Sequence, residues 1–268
     1  MGLYDNARLT RTGEGIYAAQ TDPAYWNRIG PFGGWIAALL LRCVLTEPEA
    51  VGDPLSFSIN FAGAMEQGSF EIRLRQLRHG RSTTFWSAYL VQVQNGSEMC
   101  CAFATVVTAA RRETPSFLEI APPIVPAPEE LRANRAAAAM GLPFLERLDL
   151  RFAGTTFPFP DDGETRTWVR SIDAVELDFE TLTALCDSGF PQIFVRLKRP
   201  VPISSVTLNV FYWATKEELA SVGPDYLLNV ARMRVARHGF HDTSTAMWSR
   251  SGTLLATTEQ VIWFKPPA

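Results

Sequence analysis

Phe32-Gly33-Gly34-Trp35-Ile36-Ala37-Ala38-Leu39-Leu40-Leu41-Arg42-Cys43-Val44-Leu45 is apolar on nearly every face, with Arg42 its single charge. A helix that is hydrophobic all round is wrapped by other elements, so the stretch predicts a buried central helix. Its apolar run is too short for a bilayer, which takes roughly 20 residues. Gly33-Gly34 let another group approach the backbone at the helix start, where free N–H groups and the positive end of the macrodipole collect. A ligand oxygen can be held there.

On either side of this helix the sequence alternates. Residues 8 to 20 read as an opening strand, and Thr21-Asp22-Pro23 with Gly30-Pro31 frames a loop carrying Tyr25 and Trp26. Downstream, Ser56 to Phe61, Phe70 to Arg75, Thr84 to Gln94 and Met99 to Thr108 read as strands separated by turns at Gly80 and Gly96. One long helix and then an antiparallel meander is an α+β pattern. From about Ala109 to Pro128 the prolines 115, 122, 123, 126 and 128 exclude regular structure and predict an extended crossover. A short Ala-rich helix is expected at Glu129 to Met140.

The second half repeats the order of the first. Phe144 to Phe152 and Thr165 to Ile172 read as strands, and Asp178 caps a helix from Phe179 to about Asp187 that Gly189 and Pro191 close. Ser205-Val206-Thr207-Leu208-Asn209-Val210 echoes Ser56-Phe57-Ser58-Ile59-Asn60-Phe61, and Arg237-His238-Gly239 echoes Arg78-His79-Gly80. Lys216 to Asp225 reads as a longer connection. A period of about 150 residues means duplicated domains rather than a solenoid. The expected division is 1–110, a crossover with a short helix at 111–142, and 143–268.

Composition narrows the partners. With a net charge of −3 and a pI near 5.7, no basic footprint points to nucleic acid or to an anionic membrane surface. A small-molecule partner is expected. Met1 to Asn6 lacks the basic-then-apolar profile of a signal peptide, so the expected location is cytoplasmic. Of the four cysteines, Cys43 and Cys186 fall in predicted helices and Cys100-Cys101 in a strand, a pattern that suits buried thiols better than a metal site or disulfide framework.

One helix followed by an antiparallel sheet, given twice, resembles the double hotdog fold, in which each sheet wraps a central helix. Gly30-Pro31-Phe32-Gly33-Gly34, the Asp53-Pro54-Leu55-Ser56 start of a strand, Gly80-Arg81-Ser82, Val169-Arg170, Leu185-Cys186-Asp187 and Ser204-Ser205-Val206-Thr207-Leu208 together resemble the acyl-CoA thioesterase II-like family. The resemblance runs from about residue 12 to 264. It implies hydrolysis of acyl-CoA thioesters by a directly activated water, with no cofactor beyond the CoA moiety of the substrate and no metal.

The resemblance also implies a catalytic trio: an Asp on the second helix, a Thr or Ser on the following strand and a Gln on the last strand. These are Asp187, Ser205 and Gln260, with Thr207 the alternative hydroxyl, two residues away and expected on the same strand face. Each residue also has a reading of its own. Asp187 sits in the last helical turn, where a negative charge meets the negative dipole end at a cost of about 0.3–1 kcal/mol; a solvated helix exit is the ordinary alternative. Gln260 shares parity with Leu254, Ala256, Ile262 and Phe264, the expected inward face, where an amide needs partners. Ser205, Thr207 and Asn209 read equally as a solvent-facing polar row. The repeat places Ala104 opposite Gln260 and Ala38 near Asp187, which predicts one active site per chain.

Gly33 and Gly34 are candidate oxyanion donors, and Arg81 a candidate for a CoA phosphate or an ordinary turn arginine. His79, His238 and His241 lie in or beside predicted turns without metal-ligand spacing and read as solvated. Tyr25, Trp26, Trp35, Phe85 and Trp86 suit either an acyl tunnel or plain core. Two other functions are weighed: a non-catalytic acyl-CoA or lipid-binding module on the same scaffold, and a less favoured hotdog dehydratase or hydratase, which would pair an acid with a His in the helix region; no His lies near either predicted central helix, which counts against it. Two halves in one chain satisfy each other's sheet edges, so a homo-oligomer would form through contacts that the sequence does not specify.

Overall fold

The predicted central helix, α1 (Gly33–Thr46), has ten buried residues from Gly34 to Val44, and Leu39, Leu40 and Leu41 are fully sealed. Burial of this apolar surface is the main force holding sheet to helix. The computed structural model describes residues 7–133, 141–154, 163–173 and 176–265. Around α1 curve β1 (Thr10–Gly13), β2 (Ile16–Gln20), β3 (Asp53–Phe61), β4 (Ser69–His79), β5 (Thr83–Gln94) and β6 (Ser97–Ala109). The second half holds β7 (Leu148–Phe152), β8 (Glu164–Ser171), α2 (Phe179–Cys186), α3 (Gln192–Leu197), β9 (Ile203–Tyr212), α4 (Lys216–Val222), β10 (Leu227–Arg232), β11 (Ala236–Arg237), β12 (Phe240–Trp248) and β13 (Leu254–Phe264).

All strands join one 13-stranded antiparallel sheet in the order β1-β2-β4-β5-β6-β3-β9-β13-β12-β10-β8-β7, with β11 on β12. The order reads the same from both ends once the halves are superposed: β3 answers β9, β6 answers β13, β5 answers β12, β4 answers β10 and β2 answers β8. The register shows the symmetry directly. Ser58 pairs with Asn209, Asn60 with Thr207, and between them Ile59 pairs with Leu208, its own counterpart in the sequence repeat. A local two-fold axis passes through that pair.

The crossover after β6 has no regular structure as far as Ala127, as its prolines predict, and it ties the halves together. Arg111 donates to the Pro54 and Tyr212 carbonyls at 2.9 and 2.8 Å, and Trp168 Nε1 donates to the Pro126 carbonyl at 2.9 Å. Glu129 and Glu130 lie in a 3-10 turn, Pro128–Glu130; the expected Ala-rich helix from residue 134 onward lies outside the described residues.

Other expectations need correction. The opening segment is two strands, because Gly15 adopts φ +62 and turns the chain where a Cβ would stand 2.9 Å from the Leu74 carbonyl oxygen. Phe144 to Arg147 form a 3-10 turn behind Pro143 before β7 begins. The Lys216 segment is a capped helix in which Thr215 and Glu218 form a reciprocal capping box. Cys43, Cys101 and Cys186 are buried, but Cys100 is exposed, since neighbouring strand residues point to opposite faces.

Candidate active site

The helices α1 and α2 pack side by side and antiparallel, with the start of α1 beside the end of α2 and Arg42 near Glu180 at the other end, and glycine makes the approach possible. A Cβ on Gly34 would stand 2.5 Å from the Ala184 carbonyl oxygen and 2.6 Å from the Phe32 ring. One on Gly33 would stand 2.8 Å from Asp187 Oδ2 and 3.0 Å from Phe61 Cζ. The N-terminus of α1 is thereby laid against the carboxylate that closes α2, where Asp187 is the C-cap. The unfavourable helix end noted in the sequence is offset by the favourable end of the other helix.

Gln260 Nε2 donates to Asp187 Oδ1. Burial pushes the Asp187 carboxyl up to about 7, while the Gln260 amide and the Gly34 N–H, which favour the charged form, pull the other way. Asp187 keeps partial contact with solvent, so a proton or a water can reach it. Glu180 is also raised to about 7, chiefly by burial and next by Asp178. It lies in the first turn of α2, remote from Gln260, with Arg42 at 3.9 Å.

The two candidate hydroxyls do not share a face. Thr207 pairs with Val261 and Ser205 with Ile262, so Val206 is an extra residue on β9, a β-bulge that reverses alternation for what precedes it. Ile262 and Gln260 lie on the inner face of β13, and Ser205 joins them; Thr207, beside the exposed Val261, points outward. The two-fold axis supports this. Phe57 pairs with Val106 as Ser205 pairs with Ile262, and Phe57 is fully buried. Ala104 pairs with Ile59 as Gln260 pairs with Leu208, so the first half has an alanine where the second has the amide. Ala38, the expected counterpart of Asp187, is sealed in α1.

Asp187, Gln260, Gly33 and Gly34 are thus together, with Ser205 on the same sheet face. Arg81 is not brought to them within the chain. It is exposed in the turn before Thr83, which pairs with Ala109 and so lies level with Asp53 at the start of β3, whereas Gly33 lies against Phe61 at its end. The aromatic candidates Tyr25, Trp35 and Trp86 are core; Tyr25 stacks on Trp35 with ring centroids 6.1 Å apart and donates to Asp173 at 3.0 Å. His79 and His238 are exposed as expected, but His241 is buried as an inward residue of β12, its Nδ1 3.0 Å from the Asp242 carbonyl. Burial holds its pKa below the usual range. The sequence signal was available: His241 alternates with Thr243, Thr245 and Met247.

Two helix-wrapped sheet halves related by a two-fold axis define a double hotdog protein. The sequence matches the acyl-CoA thioesterase N-terminal domain over residues 22–109 and the acyl-CoA thioesterase C-terminal domain over residues 125–264. The chain belongs to the acyl-CoA thioesterase family. It is similar to a hot dog fold protein of unknown function from Alicyclobacillus acidocaldarius, with 35% identity and a TM-score of 0.91 over 99% of this chain and 98% of that one. It also shares its fold with an acyl-CoA thioesterase II from Mycobacterium marinum (17% identity, TM-score 0.77, 100% and 99% covered). The dehydratase domain of RzxB from Pseudomonas fluorescens has the fold too (14% identity, TM-score 0.64, 99% and 100% covered), so the fold alone does not choose the reaction. No curated protein matches the chain. Among the described residues no helix is long and apolar enough to cross a membrane.

Proposed function

We propose that the chain hydrolyses acyl-CoA thioesters to a free carboxylic acid and CoA. The observation that carries this reading is the placement of the Asp187 carboxyl at the junction of the two helices, against Gly33 and hydrogen bonded by Gln260, where burial lifts it to about 7. A general base works best with a pKa near the working pH. In the proposed reaction Asp187 takes a proton from a water oriented by Gln260 and Ser205, and the water oxygen bonds to the thioester carbonyl carbon. The carbonyl oxygen becomes an oxyanion favoured by the positive end of α1 at Gly33 and Gly34. Its collapse breaks the C–S bond, and the CoA sulfur leaves with the proton that Asp187 returns. No covalent enzyme intermediate is needed, and Arg81 has no role in this scheme.

Thiol release from a panel of short, medium, long and aromatic acyl-CoA thioesters tests the reading. Turnover by the wild type and its loss in Asp187→Asn supports it; acyl-CoA binding without turnover by the wild type favours the binding-module function. The bulge makes a separate prediction. Ser205→Ala lowers kcat/KM by about tenfold or more, within the usual range for a group that positions a reacting proton, whereas Thr207→Val stays within about twofold of wild type. The reverse order contradicts the assignment.

A second reading has one observation behind it. His241 is buried on the inner face of β12 in the row that holds Ser205 and Ile262, and a dehydratase pairs an acid with a histidine. Appearance of an enoyl thioester from 3-hydroxyacyl-CoA, lost in His241→Gln and without thiol release, would favour it.

A further inference from the structure

The two halves bury different chemistry at symmetry-related positions. On the inner face of the first half, Ala104 pairs with Ala88, and further across the sheet Phe70 pairs with Ala19. On the second, Gln260 pairs with Thr243, and the pair answering Phe70 and Ala19 is Asn229 and Thr167. Asn229 is 1% exposed and Thr167 2%, yet among the described residues neither Asn229 Nδ2 nor Thr167 Oγ1 has a hydrogen-bond partner, nor has Thr243 Oγ1. Buried polar groups are almost always paired, and each exception calls for an explanation.

Their place suggests one. The helix α2 has 8 residues against 14 in α1, so it stops at Asp187 and leaves the sheet beyond to the Ser188-Gly189 turn and to the start of α3, where the buried Gln192 donates to Thr165 Oγ1 beside Thr167. A Cβ on Gly189 would lie 3.6 Å from Asn229 Nδ2. Asn229 therefore stands just past the carboxylate, where the acyl part of a thioester held at Asp187 would run. Strand β10 is two strands from β13, roughly 10 Å away, so a group meeting Asn229 is well removed from the thioester carbon. Among the described residues no lysine or arginine shares the inner face of β8, β10, β12 or β13. The unpartnered set offers an amide NH2 donor and two hydroxyls that both donate and accept, and with no cation on the face to offset a buried charge it suits a neutral oxygen better than a carboxylate.

We propose that the second half receives an acyl chain bearing a distal neutral oxygen, a hydroxyl or oxo group, hydrogen bonded by Asn229 and Thr167. The inference rests on the thioesterase reading for the placement of the acyl chain. A site built to hydrogen-bond a substrate hydroxyl discriminates strongly against the analogue without it.

The test compares 6-hydroxyhexanoyl-CoA with hexanoyl-CoA and 8-hydroxyoctanoyl-CoA with octanoyl-CoA. Dissociation constants for the Asp187→Asn protein come from calorimetry, and kcat/KM for the wild type from thiol release. For at least one pair the hydroxylated ester is expected to be preferred by about tenfold or more. Adding Asn229→Leu with Thr167→Val should bring that ratio to about one. Equal or weaker binding of both hydroxylated esters overturns the proposal, and so does the absence of binding by any ester. Equal effects of the substitutions on both members of a pair also overturn it, because they mark a purely structural role. The unsubstituted protein's own preference decides the matter if the double variant does not fold. Octanoyl-CoA turnover without preference removes this inference alone; absence of thiol release from every ester removes the thioesterase reading, while the binding ratio still decides the inference.

Discussion

Asp187→Asn is expected to raise the melting temperature at pH 8 by several degrees while removing turnover. The sign follows from the carboxyl pKa, about 7 in the folded chain against about 3.9 for an unfolded aspartate. Between these values the folded state holds a proton that the unfolded state has lost, so stability falls as the pH rises. The contribution is fully present below about pH 4, declines between about pH 4 and 7, and is lost above about pH 7. There the wild type carries a crowded carboxylate at a cost on the order of 2–4 kcal/mol, the lower part of that range allowing for the partial solvent contact of Asp187. Asparagine keeps one acceptor oxygen, which can serve Gln260, and has no charge to bury. Thermal unfolding of both proteins at pH 8, 6 and 4.5 checks this: the gain should be largest at pH 8 and shrink toward pH 4. A variant less stable than wild type at pH 8 contradicts the burial of a destabilised charge. The loss of turnover, about a hundredfold or more, is what removal of a general base produces.

Gly34→Ala is the second large effect. The added methyl group would meet the Ala184 carbonyl oxygen at 2.5 Å and the Phe32 ring at 2.6 Å, and one of the two is backbone in a packed helix. The helices must separate, at a cost of about 1–3 kcal/mol for an overfilled core, which outweighs alanine's higher helix propensity of about 1 kcal/mol. The same movement draws the Gly34 N–H from Asp187, so turnover should fall along with stability. Gly189→Ala is the control for stability: its methyl group meets Asn229 at 3.6 Å, an ordinary contact. Urea unfolding of both variants should place Gly34→Ala well below Gly189→Ala; equal midpoints would mean that the helix junction is not tight.

The features legible in the sequence were those set by periodicity and local rules. The apolar run after Gly33-Gly34 could only be a wrapped helix, and the parity of Gln260 with Ala256 and Ile262 turned its amide inward. The position of Asp187 at a helix end breaks a local electrostatic rule, which singles it out in the sequence. The repeat offset through Ile59 and Leu208 proved to be the two-fold axis itself. What stayed hidden depends on partners distant in sequence. The bulge at Val206 is a property of how β9 pairs with β13, and a one-residue slip moves every side chain before it to the other face; simple alternation therefore put Ser205 and Thr207 together. The meeting of Gly34 with Ala184 joins segments that no local pattern relates. His241 reads in sequence as part of the turn around His238-Gly239, and its inward direction comes from the pairing of β12 with β13.

The pH dependence of thiol release is the most direct test of the central claim, that Asp187 is the base. For the acyl-CoA that the wild type hydrolyses fastest, kcat/KM should rise with pH to a plateau, with its midpoint near 7. Asp187→Asn should retain only a small residual rate with that step gone. A wild-type profile flat from pH 5 to 9, or the same midpoint surviving in Asp187→Asn, would assign the proton transfer to another group.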